Sequence, residues 1–210
     1  LVPLAAAAAV CLAAGWWVLT RTAAAAAEVK VVALTGAVTA RGRSQAQSAA
    51  RPLAVGEGIV AGELVEVAAG AQAELQSADG SRFVLRGDTQ FVVEPSTAAG
   101  RRFGLRRGGV DAHVAAQPAR KPLALSTPHA EVEVLGTELS LLTTARVTRL
   151  DVAEGEVRLR RTSDGKAVVV GAGQFASAAE GLELAVRPSS GQRLSPRFGG
   201  IFRAEYAEVY

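Results

Sequence analysis

The chain has 210 residues, 23 Lys and Arg against 20 Asp and Glu for a net charge of +3, and 49% hydrophobic residues, with aromatics only 5% of the chain. That length holds one sizeable core rather than two, built mainly from Val, Leu and Ala. So slight a positive balance points to no nucleic-acid partner, one cysteine excludes an intrachain disulfide framework or a thiolate metal site, and His113 and His129, the only histidines, lack partners at metal-ligand spacing, so no metal or cofactor is expected.

Residues 1–20 carry no charge before Arg21, about the length a helix needs to cross a bilayer, and Trp16 and Trp17 suit its interfacial end. A transmembrane helix over 1–20 followed by a linker over 21–28 is predicted. The competing reading is a secretory signal peptide cleaved in the alanine tract 23–27. The apolar run is long for a signal peptide, and Arg21 sits awkwardly before that cleavage point, which favours the anchor. Cys11 reads as a small apolar residue of the helix, because Val10 stands where a lipoprotein signal needs a small residue. The chain contains no methionine, as expected for a piece of a longer protein or for a non-standard start codon.

From residue 29 the periodicity changes to that of strands. Residues 29–40 read as a strand pair around Gly36, residues 41–51 as a polar exposed loop, and residues 52–67 as short strands turning at Gly56, Gly58 and Gly62. Residues 71–85 form a hairpin around Asp79-Gly80, with Leu75, Phe83 and Leu85 as core residues and residues 89–94, ending at Pro95, as its partner strand. Residues 100–108 hold four arginines, Arg101, Arg102, Arg106 and Arg107, around Phe103. They could form a patch for an anionic partner. The favoured reading is a solvated hairpin whose arginines keep an edge strand from pairing with other chains.

In residues 130–134, Val132 and Val134 alternate with Glu131 and Glu133, a strand with one face in a core and one in water. Past Gly136 the apolar positions shift to Leu139 and Leu141, which a bulge at Gly136 would produce. Residues 148–160 read as two strands joined by a tight turn at Glu154-Gly155. Asp164-Gly165 supplies a two-residue hairpin turn and residues 168–170 the returning strand, so the region reads as a β-meander.

Thr127-Pro128-His129-Ala130-Glu131-Val132-Glu133-Val134-Leu135-Gly136-Thr137, then Val152-Ala153-Glu154-Gly155-Glu156-Val157, then a hairpin ending in Ala172-Gly173-Gln174, resemble the motifs of the FecR family in their family order. The approach Val55-Gly56 to Gly62 and the Asp79-Gly80-Ser81 hairpin match it too, so the resemblance covers residues 29 to 180. Leu139 stands where the family usually places an aromatic. The resemblance implies a membrane-anchored bacterial protein of cell-surface signalling with a β-solenoid-like domain. Residue patterns alone give an all-β domain of many short antiparallel strands, either a sandwich or a solenoid-like stack, over residues 29–186. The motif positions Asp79, Gly80, Ser81, Thr127, Pro128, Gly136, Thr137, Glu154, Gly155, Val157 and Gly173 read as fold determinants rather than contact residues.

Residues 187–210 read as a linker and tail, with Pro188, Ser189, Ser190 and Gly191 followed by the aromatics Phe198, Phe202, Tyr206 and Tyr210. No enzyme is expected. Ser126 and Thr127 adjoin His129 only across a proline turn, no serine has a nucleophile-elbow context, and the carboxylate pairs Glu131/Glu133 and Glu154/Glu156 lie on the wet strand face, where a raised pKa is not expected.

Two functions stand. The first is an extracytoplasmic sensor module on a single-pass inner-membrane protein, its β domain in the periplasm. As the resemblance implies, it would relay a partner's binding, such as that of an outer-membrane transporter, to a sigma or anti-sigma system. The second is an envelope structural or ligand-binding β-module without sigma-factor control.

Overall fold

A computed structural model describes residues 28–42 and 49–189. The predicted helix over 1–20, its linker to residue 27, the alanine tract and the tail beyond 189 lie outside the described residues. Among the described residues no helix is long and apolar enough to cross a membrane.

The chain is all-β, in many short strands, as its alternating pattern predicts. They are β1 (Val29–Thr35), β2 (Val38–Arg41), β3 (Arg51–Pro52), β4 (Gly58–Ile59), β5 (Leu64–Val67), β6 (Gln72–Ser77), β7 (Arg82–Leu85), β8 (Gln90–Val93), β9 (Arg102–Val114), β10 (Leu123–Ser126), β11 (Ala130–Val134), β12 (Thr137–Thr143), β13 (Thr148–Glu154), β14 (Glu156–Arg161), β15 (Ala167–Gly171), β16 (Gln174–Ala178) and β17 (Val186–Pro188).

They form two facing sheets. One runs β4-β1-β6-β7-β9-β12-β13-β16-β17. The other runs β3-β2-β5-β8-β9-β10-β11-β14-β15. Every pairing is antiparallel except β9 with β10, which is parallel. The chain passes from one sheet to the other at nearly every second connection. β9 belongs to both, its first half in the second sheet and its second half in the first, so hydrogen bonding is continuous through all the described strands.

Period-two alternation sends one row of each strand inward, and the inward rows of both sheets merge into one core. Leu75, Phe83 and Leu85 are fully buried there. Three aromatic rings bridge the layers: Phe83 of the first sheet lies 4.7 Å from Phe103 and 5.8 Å from Phe91, both of the second.

Several local expectations change. Residues 100–108 are not an edge hairpin: they begin the long strand β9, whose first half lies between β8 (over 103–107) and β10 (over 102–104) and whose second half lies between β7 and β12. Its buried positions shift from Phe103 and Leu105 to Val110, Ala112 and Val114 as it crosses between sheets at Gly108-Gly109. Gly136 is not a bulge within a strand. β11 lies in the second sheet and β12 in the first, and Gly136, at φ +151°, is the corner between them, with Ala116 Cα 3.1 Å from where a Cβ would stand. Gly155 (φ +83°) is likewise a corner and not a hairpin turn, so β13 and β14 do not pair and the region is interleaved rather than a meander. β1 and β2, read as a pair, enter different sheets, and β8 pairs with β5 and β9 rather than with the β6–β7 hairpin.

The hairpins at Asp79-Gly80 and Asp164-Gly165 do form. In both, only the glycine has positive φ, +89° and +71°, so neither is the two-residue primed turn. At the first, Gly80 N–H bonds to Ser77 O and Ser77 N–H to Ser81 O, a three-residue loop with the glycine as its bulge. Arg187 and Pro188, read as the start of a linker, continue the first sheet in β17.

Candidate functional site

On the outer face of the second sheet, neighbouring strands align Leu64 with Val92, Val92 with Gly104, and Gly104 with Ser126. Gly104 contributes no side chain to that row, so the surface sinks there. A Cβ at Gly104 would stand 3.2 Å from Glu94 Oε1 and 3.4 Å from Ser126 Oγ. The result is a cleft of about 330 Å³, with Leu64 and Val92 on its apolar side and Arg41, Arg106, Glu94 and Thr127 at its rim.

The four arginines read as one patch are divided by the fold. Arg101 Nη1 lies 2.9 Å from both Asp79 Oδ1 and Ser77 Oγ. Arg102 reaches Glu94 at 3.3 Å and Glu131 at 3.1 Å. Arg106 and Arg107 are exposed; Arg107 Nε lies 3.4 Å from Asp88 O, and Arg106 stands at the cleft. β9 alternates its faces, so Arg102, Gly104 and Arg106 share one surface that Arg101 does not.

Along that surface charges interlock across strands. Glu131 takes hydrogen bonds from Arg160 and Arg102, and despite partial burial these hold its carboxyl below the usual carboxylate range. Ser126 Oγ donates to Glu94 Oε1 at 2.9 Å, and Arg41 Nη2 binds Glu66 at 2.7 Å.

The motif residues have structural work of their own. Thr127 Oγ1 accepts from Ala130 N–H at 2.9 Å, closing the turn that Pro128 stiffens, and accepts the Thr148 hydroxyl at 2.9 Å, which in turn lies 2.8 Å from Thr143. Gly136, Thr137 and Gly155 meet at one corner: a Cβ on Gly155 would stand 2.6 Å from Thr137 Cγ2 and 2.9 Å from Gly136 O. Glu154 is exposed beside that corner, while Val157 is core, opposite Val134. Gly173, at φ +73°, turns β15 into β16, its N–H bonding Val152 O.

Asp79 accepts Ser81 N–H at 3.0 Å and the Gln117 amide at 2.8 Å, tying the β6–β7 hairpin to the segment after β9. Burial alone would raise the Asp79 carboxyl, but the Ser81, Gln117 and Arg101 interactions hold it below its ordinary value. Ser81 is fully buried, and its hydroxyl accepts Ala115 N–H.

The hydroxyls beside His129 are otherwise engaged, Ser126 with Glu94 and Thr127 within its turn, while His129 Nε2 lies 3.2 Å from Thr144 O. His113 Nδ1 lies 3.1 Å from Glu138 Oε1 on the surface. Among the described residues no three His, Cys, Asp or Glu side chains are grouped to hold a metal.

Sequence reasoning missed Arg161. The run Arg158 to Arg161 reads as a solvated face, yet Arg161 is only 7% exposed. Its guanidinium binds Asp164 (Nε to Oδ1, 2.9 Å), Ala179 O at 3.1 Å and Leu182 O, pinning the segment before β17. The alternation of β14, in which Val157 and Leu159 point inward, was the available signal. Arg161 holds the Asp164 carboxyl down to about 2.

Three carboxyls, Asp79, Glu131 and Asp164, therefore titrate lower in the folded chain than in the unfolded one. Below about pH 4 the unfolded chain takes up these protons first, so the stability they contribute is complete above that pH and is lost as pH falls toward the folded values. Urea midpoints should be level from pH 7 to about 5 and fall between about 4 and 2, with Asp164→Asn flattening part of the slope. A midpoint unchanged between pH 7 and 2.5 would contradict these ion pairs.

Residues 63–158 match the family model described as FecR protein. No curated protein matches the chain. Two crystal structures of a candidate anti-sigma factor from Parabacteroides distasonis ATCC 8503, at 2.50 and 1.65 Å, share the fold, each with a TM-score of 0.53, 17% identity and 60% of this chain covered. The match spans 59% of each of those chains.

Proposed function

We propose, on the premise that residues 63–158 of this chain are a FecR domain, that it is the extracytoplasmic module of a single-pass protein of the bacterial inner membrane and acts in signalling to a sigma factor. The family match carries the reading. Residues 1–20 would anchor the chain, placing the β domain in the periplasm. A protein partner outside the membrane, such as an outer-membrane transporter, would bind the β domain, and its binding would be relayed to a sigma or anti-sigma system. The similarity in fold to a candidate anti-sigma factor is consistent with that role. No catalytic role is proposed, and no nucleic-acid or cofactor partner.

Two measurements on the native chain test this. Alkaline phosphatase fused after Ser189 should be active on the periplasmic side of the membrane. Removing residues 29–189 should alter transcription from one sigma-dependent set of promoters. Unchanged transcript levels, or a fusion held in the cytoplasm, would overturn the proposal.

The cleft supports a second reading, a ligand-binding envelope module without sigma control. A cleft with an apolar side and with two arginines and a carboxylate at its rim suits a small polar ligand. Arg106→Glu should then abolish ligand retention and leave transcription unaltered.

A further inference from the structure

Among the described residues the two sheets end in four strands, and three of them carry the devices that keep sheet edges from pairing with other chains. β4 has two residues, β3 is Arg51–Pro52, and β17 is three residues with Arg187 and Pro188. The part of β1 that β4 leaves uncovered is interrupted by a register shift between Val31 and Ala33. β15, the last strand of the second sheet, differs from all of them. It is Ala-Val-Val-Val-Gly, five residues without charge or proline, in unbroken register with β14, and Val169 is 58% exposed.

The hydrogen bonds at its two ends show which backbone groups point outward. Lys166 O accepts Arg161 N–H, so position 166 faces β14. Alternation then turns Val168 and Val170 toward β14, and Ala167, Val169 and Gly171 away from it. Gly171 agrees, because its N–H is taken by Gln174 Oε1 at 2.9 Å rather than by β14. The N–H and C=O of Ala167 and Val169, and the C=O of Gly171, face the open edge.

We infer that this edge pairs with the same edge of a second copy, antiparallel about a twofold axis through Val169. Val169 then stands opposite its own counterpart, the two exchanging both N–H···O bonds, and Ala167 stands opposite Gly171, where Ala167 N–H donates to Gly171 O while the Gly171 N–H stays with Gln174. An uncharged strand offers a foreign strand no charge register to read, whereas its apolar row matches itself. The two Val169 side chains meet on the outer face and cover each other. Arg158, aligned with Val169 on β14, raises no barrier, since the two copies of it lie three strand spacings apart, about 14 Å and beyond the Debye length at physiological salt. The inference does not depend on the function proposed above.

The test uses the full chain in mild detergent, in a Cys11→Ser background. Val169→Cys should give a disulfide-linked dimer on mild oxidation, while Val55→Cys, 62% exposed in a turn elsewhere, should not. By sedimentation velocity the unmodified chain should dimerise, and Val169→Asp, which opposes two carboxylates across the axis, should raise the dimer Kd by about tenfold or more with unchanged circular dichroism. A monomer up to about 100 μM, where even weak edge pairing should register, overturns the inference. So does a dimer indifferent to Val169→Asp, which would place the contact elsewhere. A full chain that is monomeric but dimerises when cut after Ser189 also overturns it, by showing that residues 190–210 occupy the edge in cis.

Discussion

Phe103→Ala is expected to lower the free energy of unfolding by about 3–5 kcal/mol, the range for removing a buried ring from a core that only partly collapses around the space. Phe83 and Phe91 are wholly enclosed and Phe103 is 2% exposed. Their centroids are 4.7 to 5.8 Å apart, with Phe91 and Phe103 stacked at 5.5 Å. In a chain this poor in aromatics these three rings are the bulkiest buried side chains, and they touch across the two sheets. Phe103 also sits on the strand common to both, so a void there loosens the layers where they are stitched. Urea unfolding followed by far-UV circular dichroism measures the loss. Phe103→Leu should cost less than half as much, and a loss below about 1 kcal/mol for Phe103→Ala would mean that the rings do not carry the contact between sheets.

Gly108→Ala should be comparably damaging, although it adds a single methyl group. Gly108 has φ +90°, and a Cβ there would stand 2.5 Å from Thr89 Oγ1, 2.6 Å from Thr89 Cα and 2.8 Å from Asp88 O. Two of those atoms are backbone and cannot rotate away. The third belongs to a buried hydroxyl that donates to Gly109 O and accepts Gly109 N–H, both at 3.1 Å. Left-handed strain of about 1–2 kcal/mol and crowding of about 1–3 kcal/mol combine to about 2–5 kcal/mol. Gly173→Ala is the matched control: φ is +73°, but no atom lies within 4 Å of the added carbon, so only the strain remains. Equal losses at the two glycines would show that backbone conformation, and not the close approach at the crossing, sets the requirement.

The candidate site was legible only in part. The motif residues were found from their order; in the structure Asp79, Gly80, Thr127, Gly136, Gly155 and Gly173 lie in turns and corners and Val157 lies in the core. The cleft was not found, because it arises from one missing side chain at Gly104 between residues on strands far apart in sequence. The arginine patch was seen as four charges in a row. Strand alternation and the carboxylates Asp79, Glu94 and Glu131, from a hairpin turn, the end of β8 and β11, then split it and leave Arg106 at the cleft.

Local chemistry alone determined that this chain is all-β, where most strands run, which residues face inward, and that Asp79-Gly80 and Asp164-Gly165 reverse the chain. These follow from side-chain alternation and from a glycine's access to positive φ, both properties of a few adjacent residues. Only the tertiary structure decided which sheet each strand joins, that Gly136 and Gly155 are corners between sheets, that residues 102–114 are one strand shared by both, and that Arg161 is buried. Period two reports the inward face of a strand but carries no information about its neighbours. Those are chosen by hydrogen bonding and packing between distant segments, as when β11 pairs with β14 across the intervening β12–β13 hairpin.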